Sequence, residues 1–474
     1  MMQNSEPVWR HVDDKAQPAI ELSDRVWGMP ELAYNEHRSA AEHTAYLNAE
    51  GFRVTERLAG IPTAMMGEAG EGGPVIAILG EFDALPALSN EAGATTHSPV
   101  PGDGNGHACG HNLLGAASLL AATAVKDYLA ANGIKGRVRY YGCPAEEGGA
   151  AKGFMARAGL FDDVDIAISW HPSAFAGVNE PLSLANTRID FTFHGRASHA
   201  AAAPHLGRSA LDAVELMSVG VNYLREHIPQ ESRIHYAYLD AGGVAPNVVQ
   251  AKAKVRYLIR AANVADLQHL VTRVRAIADG AALMAECRVE TQVISAVSNL
   301  LANPPLEKLM QESLDRLGPP PFDAEDRKRA AEFQATLSDA DITSAFRKVG
   351  LPKTTAPLAD SIVPLDSKRA PMIGSTDVGD VSWVVPTAQI RGATYAIGTP
   401  GHSWQLTAQG KSGIAHKGMV HAAKVMAATA VDVIRDPALL ARAKADFAAR
   451  TAGNPYVCPL PDDVKPALDM AAGG

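Results

Sequence analysis

Cysteine is scarce in this chain. Four thiols in 474 residues cannot frame a disulfide scaffold, so stability has to come from a packed core. A basic excess is also missing. The formal charge is −9, which argues against nucleic acid or an anionic membrane as the default partner. The longest apolar stretch, 113–125, is too short to cross a bilayer and is rich in Ala and Gly. The first 14 residues are polar and lack the apolar core of a signal peptide, so a cytoplasmic protein is expected. No internal repeat or low-complexity tract interrupts the sequence. With 47% apolar and 20% charged residues, the composition is that of an ordinary globular protein long enough for two or three domains.

The hydrophobic pattern changes along the chain. Residues 16–47 read as helix with a break at Gly28-Met29-Pro30. Short apolar runs at 75–79, 138–142 and 164–170 then alternate with a helical run at 113–131. This order predicts an α/β fold with a mostly parallel sheet. Near Asn186 the rhythm becomes β-α-β-β-α-β, with strands at 188–194, 234–239, 251–260 and 288–293 and helices at 209–226 and 264–284. That is a ferredoxin-like order, and it places an inserted domain at 187–298. The sheet domain is therefore split into 1–186 and 299–474. Residues 303–372 are the least legible part, punctuated by Pro304-Pro305 and Pro319-Pro320-Pro321. Strand-like runs resume at 382–385 and 394–397, and a helix follows at 417–435.

The apolar runs end at residues that carry chemistry. The first leads into Glu81-Phe82-Asp83, the second into Cys143-Pro144-Ala145-Glu146-Glu147-Gly148-Gly149, and the third into His171. The run at 394–397 leads to His402. Cys109 and His111 precede the helix at 113–131. Open α/β sheets bind ligands beyond the carboxyl ends of their strands. A thiol, imidazoles and carboxylates delivered there suit Zn²⁺ and also accept Mn²⁺. Cys-x-His alone is weak and reads equally as a loop with a buried thiol. Together with Glu147, His171 and His402 it reads as a metal site. The paired glutamates suggest a division of labour, with Glu147 on metal and Glu146 moving protons. Asp83 orients a ligand histidine or caps the next helix. In the inserted domain His199 is a possible oxyanion donor, and Asn247 with Arg260 a possible carboxylate clamp.

Taken together, these residues resemble the co-catalytic metallopeptidases that include aminoacylases, glutamate carboxypeptidases and auxin-conjugate amidohydrolases. Trp27-Gly28-Met29-Pro30-Glu31-Leu32, Asp83-Ala84-Leu85-Pro86, Cys109-Gly110-His111, Glu146-Glu147-Gly148-Gly149 and His199-Ala200-Ala201 stand in that family's order, and the likeness spans essentially the whole chain. Ser375-Thr376-Asp377 and Ala415-His416-Lys417-Gly418 look like the branch that acts on p-aminobenzoyl-glutamate. The resemblance implies two divalent ions, Mn²⁺ or Zn²⁺, on Cys109, His111, Glu147, His171 and His402. It implies Glu146 as general base and acid, and Asn247 and Arg260 on the substrate carboxylate. It makes the inserted domain a lid that also dimerises, with His199 reaching a neighbouring subunit's site. Three positions depart from relatives. Asn112 replaces the Asp of the auxin-conjugate branch, Glu81 stands where classical carboxypeptidases have a ligand His, and Cys109 replaces a bridging carboxylate.

The expected activity is metal-dependent hydrolysis of an N-acyl amino acid, foremost p-aminobenzoyl-glutamate. Other acyl groups are the alternative within that chemistry. An alternative of another class is a non-catalytic subunit of a heteromeric hydrolase. The intact ligand set and Glu146 argue against it, because a retired site is free to lose them. The expected partners are a small-molecule substrate and either a second copy or a homologous subunit.

Overall fold

Period-two burial builds the main sheet. In the computed structural model, which describes residues 5–179, 181–369 and 374–470, Ile76 and Ile78 enter one core beside Val138, Tyr140, Ile166 and Ile168. Their neighbours Val75, Ala77 and Leu79 enter a second core with Tyr141 and Ala167. Strands buried on both faces read as unbroken apolar runs, which is why these were visible in the sequence.

The strands in chain order are β1 (Arg53–Glu56), β2 (Met65–Glu71), β3 (Val75–Glu81), β4 (Gly136–Cys143), β5 (Ile166–Ser173), β6 (Gly177–Val178), β7 (Ala185–His194), β8 (Arg233–Asp240), β9 (Lys252–Ala261), β10 (Arg288–Val297) and β11 (Thr387–Ala393). Seven form one sheet in the order β1-β2-β4-β3-β5-β11-β6. Its centre, β4-β3-β5-β11, is parallel. The flanking strands β1, β2 and β6 run antiparallel to their neighbours. Four parallel strands therefore present their carboxyl ends along one edge.

Two long helices, His111–Asn132 and Gly413–Arg435, are buried against this sheet, and Ser5–Trp27 packs on those two helices. The first is longer than the apolar run that announced it. By length and composition it could cross a membrane, but most of it is buried as a core helix. The N-terminal helix starts at Ser5, ahead of the expected Ala16, and ends at Trp27 before the expected break.

The remaining strands pair antiparallel in the order β10-β7-β9-β8. Ile189, Phe191 and Phe193 alternate into a separate core with Val255, Tyr257 and Ile259. Val214, Met217, Leu270 and Val274, from the two covering helices Ala210–Leu224 and Val264–Met284, close that core. The β-α-β-β-α-β order is the one expected.

Two expectations fail. The run 382–385 is not a strand: Val378–Ser382 is a short helix, and the Val385 amide donates to the Val381 carbonyl at 3.0 Å. Val381 and Val385 stand one helical turn apart in the second core, so the apolar run has a helical period. Nor is 394–397 a strand. The sheet strand is β11, and the next residues form a buried loop whose Thr394 amide donates to the Ser173 carbonyl and whose Ile397 amide donates to that of Pro357. The Pro-punctuated segment holds the helices Pro304–Leu317, Ala324–Gln334 and Asp339–Val349, and its residues 370–372 lie outside the described residues.

Candidate active site

The parallel strands carry the site. β3 leads into Asp83, β4 into Glu146 and Glu147, and β5 contains His171 near its end. His402 follows β11 after an eight-residue loop, 394–401. Cys109 and His111 straddle Gly110, which takes φ +81° to start the helix His111–Asn132. A Cβ on Gly110 would stand 3.0 Å from the Pro172 ring, so backbone conformation and close approach both call for glycine.

Donor atoms from these elements converge. Cys109, His111 and His171 place one ligand atom each within 4.8 Å of one another, as do Cys109, Glu147 and His402. The trios meet on the Cys109 sulfur, which stands 3.3 Å from His171 Nε2. Glu147 Oε1 stands 3.3 Å from His402 Nε2. A third group joins Glu81, His111 and Glu146. The five residues expected as ligands are thus brought together, with Glu146 beside them.

The histidine tautomers suit cation binding. His171 Nδ1 donates to the Pro172 carbonyl at 2.8 Å, which turns the Nε2 lone pair toward Cys109. His111 Nδ1 donates to Asp83 Oδ1 at 2.8 Å. Its Nε2 is buried without a hydrogen bond, as is Glu147 Oε1. Met only by 3.3 Å approaches of Glu81 and His402, such buried atoms are costly unless a cation meets them. Burial opposes a proton on His111, but Cys109 and Asp83 outweigh it and hold the pKa well above the usual imidazole value. The Asp83 carboxylate that favours a proton there favours a metal ion too. Burial, reinforced by Glu147, pushes the Cys109 thiol up, so a thiolate needs a cation's charge beside it. The residues fit a divalent metal.

Asp83 holds two parts of the site, since its Oδ2 also accepts from the Glu147 amide at 2.9 Å. His402 has φ +55°, and its amide donates to the Ala108 carbonyl. Burial first, then Glu81 and Glu147, push the Glu146 carboxyl well above the usual range.

Three expected residues stand elsewhere. His199 is exposed in the segment between β7 and the helix Ala210–Leu224, where its Nδ1 accepts from the Ala201 and Ala202 amides. Asn247 is exposed in the loop between β8 and β9, and its carbonyl accepts from the Ala200 amide. Arg260 Nη1 donates to Ser375 Oγ at 2.9 Å. Arg188 of β7, which the sequence did not single out, donates to the Gly148 carbonyl at 3.2 Å and links the two sheets at the glutamate loop.

The sequence also hid a buried cation. Lys152 has a fully buried side chain, with Nζ 2.7 Å from Glu81 Oε1 and 2.6 Å from Asp377 Oδ1. Glu81 Oε2 lies 3.3 Å from His111 Nε2. Burial pushes Asp377 up to about 7 against the pull of Lys152, while the two carboxylates keep the ammonium charged. The available signal was a lysine set among Ala150, Ala151, Gly153 and Phe154, where no solvent-facing pattern calls for a charge. Trp170 and Trp383 are held by indole hydrogen bonds to the Leu114 and Asn299 carbonyls, as packing residues would be.

Trios of ligand-type side chains at the carboxyl edge of a parallel α/β sheet, with a further carboxylate beside them, have the make-up of a metal-dependent hydrolase. The chain belongs to peptidase family M20/M25/M40, whose model matches residues 77–432. It is 45% identical to one of the subunits of p-aminobenzoyl-glutamate hydrolase of Escherichia coli (strain K12), over 97% of this chain and 99% of that protein. It is 29% identical to the Xaa-Arg dipeptidase of Mus musculus, over 92% and 90% respectively. Among solved structures, the aminobenzoyl-glutamate utilization protein of Klebsiella pneumoniae shares the fold with a TM-score of 0.58 and 18% identity, covering 90% of this chain and 98% of that one. A dinuclear metal-binding M20 peptidase of Bacillus subtilis does so with a TM-score of 0.54 and 19% identity, covering 89% and 99%.

Proposed function

We propose that this chain hydrolyses the amide joining an acyl group to an amino acid, with p-aminobenzoyl-glutamate as substrate and two divalent ions, Mn²⁺ or Zn²⁺, as cofactors. The observation that carries this reading is the pair of ligand trios sharing Cys109, with Glu146 alongside. The E. coli relative's name supplies the substrate.

Cys109, His111, Glu147, His171 and His402 would hold the ions. Bound there, divalent metal acidifies water and polarises a carbonyl. Glu146 takes the proton of the attacking water and passes it to the leaving amine nitrogen. Burial raises its pKa, which favours holding the proton between the two transfers. Asp83 fixes the His111 tautomer and the start of Glu147. Arg260, with Asn247, takes the substrate carboxylate through the guanidinium fork.

His199 acts on a neighbouring subunit's site. Because its Nδ1 accepts backbone hydrogen bonds, the proton sits on Nε2, which can donate to the developing oxyanion. The active assembly therefore has at least two chains, a second copy or a homologous subunit. An exposed edge supports this. β8 lies at the margin of its sheet with Tyr236, Tyr238 and Leu239 open to solvent, and Val244 follows fully exposed.

The test is to purify the chain alone, load it with Mn²⁺ or Zn²⁺, and follow release of p-aminobenzoate. Chelation should abolish release and added metal should restore it. Full activity in protein shown to be metal-free by elemental analysis would overturn the reading. Activity that appears only with a homologous subunit would identify the partner as heteromeric.

A further inference from the structure

The loop that carries Glu146 and Glu147 is braced from below by residues that no role above has used. Glu36 is fully buried. Its Oε1 accepts two backbone amides at 2.9 Å, those of Tyr34 and Ala145. Its Oε2 accepts the Thr63 hydroxyl at 3.0 Å. Both residues whose amides meet on that one oxygen have left-handed backbones, with φ +65° at Tyr34 and +57° at Ala145. Non-glycine residues hold that conformation only where their surroundings impose it.

A second contact secures the far end of the loop. The Tyr34 hydroxyl donates to the Gly149 carbonyl at 2.6 Å. A Cβ on Gly149 would stand 2.4 Å from the Tyr34 ring, so the phenol lies flush against the loop. The same N-terminal segment reaches the Asp83 turn, where the Ala84 amide donates to the Glu31 carbonyl at 2.9 Å. Residues 31–36 thus hold the turn after β3 and both ends of the loop after β4.

We propose that Glu36 and Tyr34 are positioning residues that set the reach of Glu146 by fixing the two ends of the 145–149 loop. The proposal rests on the assignment of Glu146 as the proton carrier. An unbraced loop lets Ala145 relax out of its left-handed conformation, and this displaces the carboxylate one residue along. Displacement of a catalytic group by about 1 Å costs on the order of 10²-fold in turnover. Substrate binding through the inserted sheet is untouched, so the loss belongs in kcat rather than KM.

The test compares E36A, E36Q and Y34F in the metal-loaded full chain. E36Q keeps the Oε1 acceptor for both amides, and its new amide can donate to Thr63 Oγ. We expect E36A to lose roughly 10²-fold in kcat per folded molecule, with KM within about twofold. Y34F should lose kcat in the same sense but less, and E36Q should recover most of the turnover. Hydrogen exchange of the peptide spanning 143–150 should quicken in E36A and Y34F and stay slow in E36Q. That readout needs no activity. If the wild-type chain hydrolyses nothing, the functional reading fails while the brace is still judged by exchange. If E36A does not fold, Y34F against E36Q decides the matter. Wild-type kcat together with wild-type exchange in Y34F would overturn the proposal. So would a lower melting temperature in E36A with unchanged kcat per folded molecule.

Discussion

Replacing Lys152 with Met removes the positive charge from a pocket that holds two carboxylates at 2.7 and 2.6 Å, all three side chains being at most 2% exposed. Met fills most of the space, so the cavity contribution is small and the electrostatic one dominates. Removing one partner of a buried pair costs about 3–5 kcal/mol, because the other charge is left without compensation. Here two carboxylates are left, and one of them must take up a proton to remain buried. The sign of the pH dependence follows. A carboxyl whose folded pKa is raised stabilises the fold below its unfolded pKa, and that stability is lost as pH rises through the folded value. Asp377 already stands at about 7 with Lys152 present. The variant should therefore lose less at pH 5.5, where a proton on Asp377 leaves only Glu81 uncompensated, and should be several kcal/mol less stable at pH 8. Urea unfolding followed by tryptophan fluorescence at the two pH values measures both numbers. A loss under about 1 kcal/mol at pH 8, or an equal loss at both pH values, would refute the charge argument.

Two further outcomes bear on the site and on acid stability. Glu146→Gln should retain metal and fold yet lose roughly 10²-fold or more in turnover, whereas Glu147→Gln should lose metal by elemental analysis; exchanged phenotypes would reverse the two roles. Burial pushes His421, which is bonded to the Gly318 carbonyl at 2.7 Å, down to about 4. A depressed folded pKa gives stability that is present above the unfolded value near 6.5 and lost as pH falls toward 4, roughly 2 kcal/mol of it by pH 5. His421→Gln should shrink the difference in urea midpoint between pH 7 and pH 5, and an unchanged difference would remove this residue from the account.

What could be read in the sequence was whatever left a periodic or punctuated trace. β3, β4 and β5 stood out because burial on both faces leaves no polar interruption. β7 and β9 stood out because one face packs on helices, giving clean alternation. Cys109, His111, Glu147, His171 and His402 were legible as candidate ligands because each follows an apolar run or opens a helix. β1 and β2 escaped notice: only alternate residues of β2 are buried, and they include Gly67 and Ala69. β11 was misplaced because Gln389 and Arg391 break its pattern although the strand is largely buried. Lys152, Glu36 and the pairing of Asp377 with Lys152 were hidden for a different reason. A buried charge is recognisable only by its partners, and these partners lie 71 positions (Lys152 and Glu81), 225 positions (Lys152 and Asp377) and 109 positions (Glu36 and Ala145) apart.

The chain enters and leaves the smaller sheet through one doorway. β7 and β10 are paired to their ends, with Asn186 opposite Val297, so the two crossings run side by side as a single ribbon. A body attached by one ribbon pivots more readily than it slides. Across the doorway the described contacts include two arginine latches, Arg188 on Gly148 and Arg260 on Ser375. Both end on neutral oxygens, which hold a guanidinium less firmly than a carboxylate would. An incoming carboxylate could therefore draw these arginines away from the protein. The ligand bearing it would then trade one set of arginine contacts for another, coupling its arrival to the angle between the sheets.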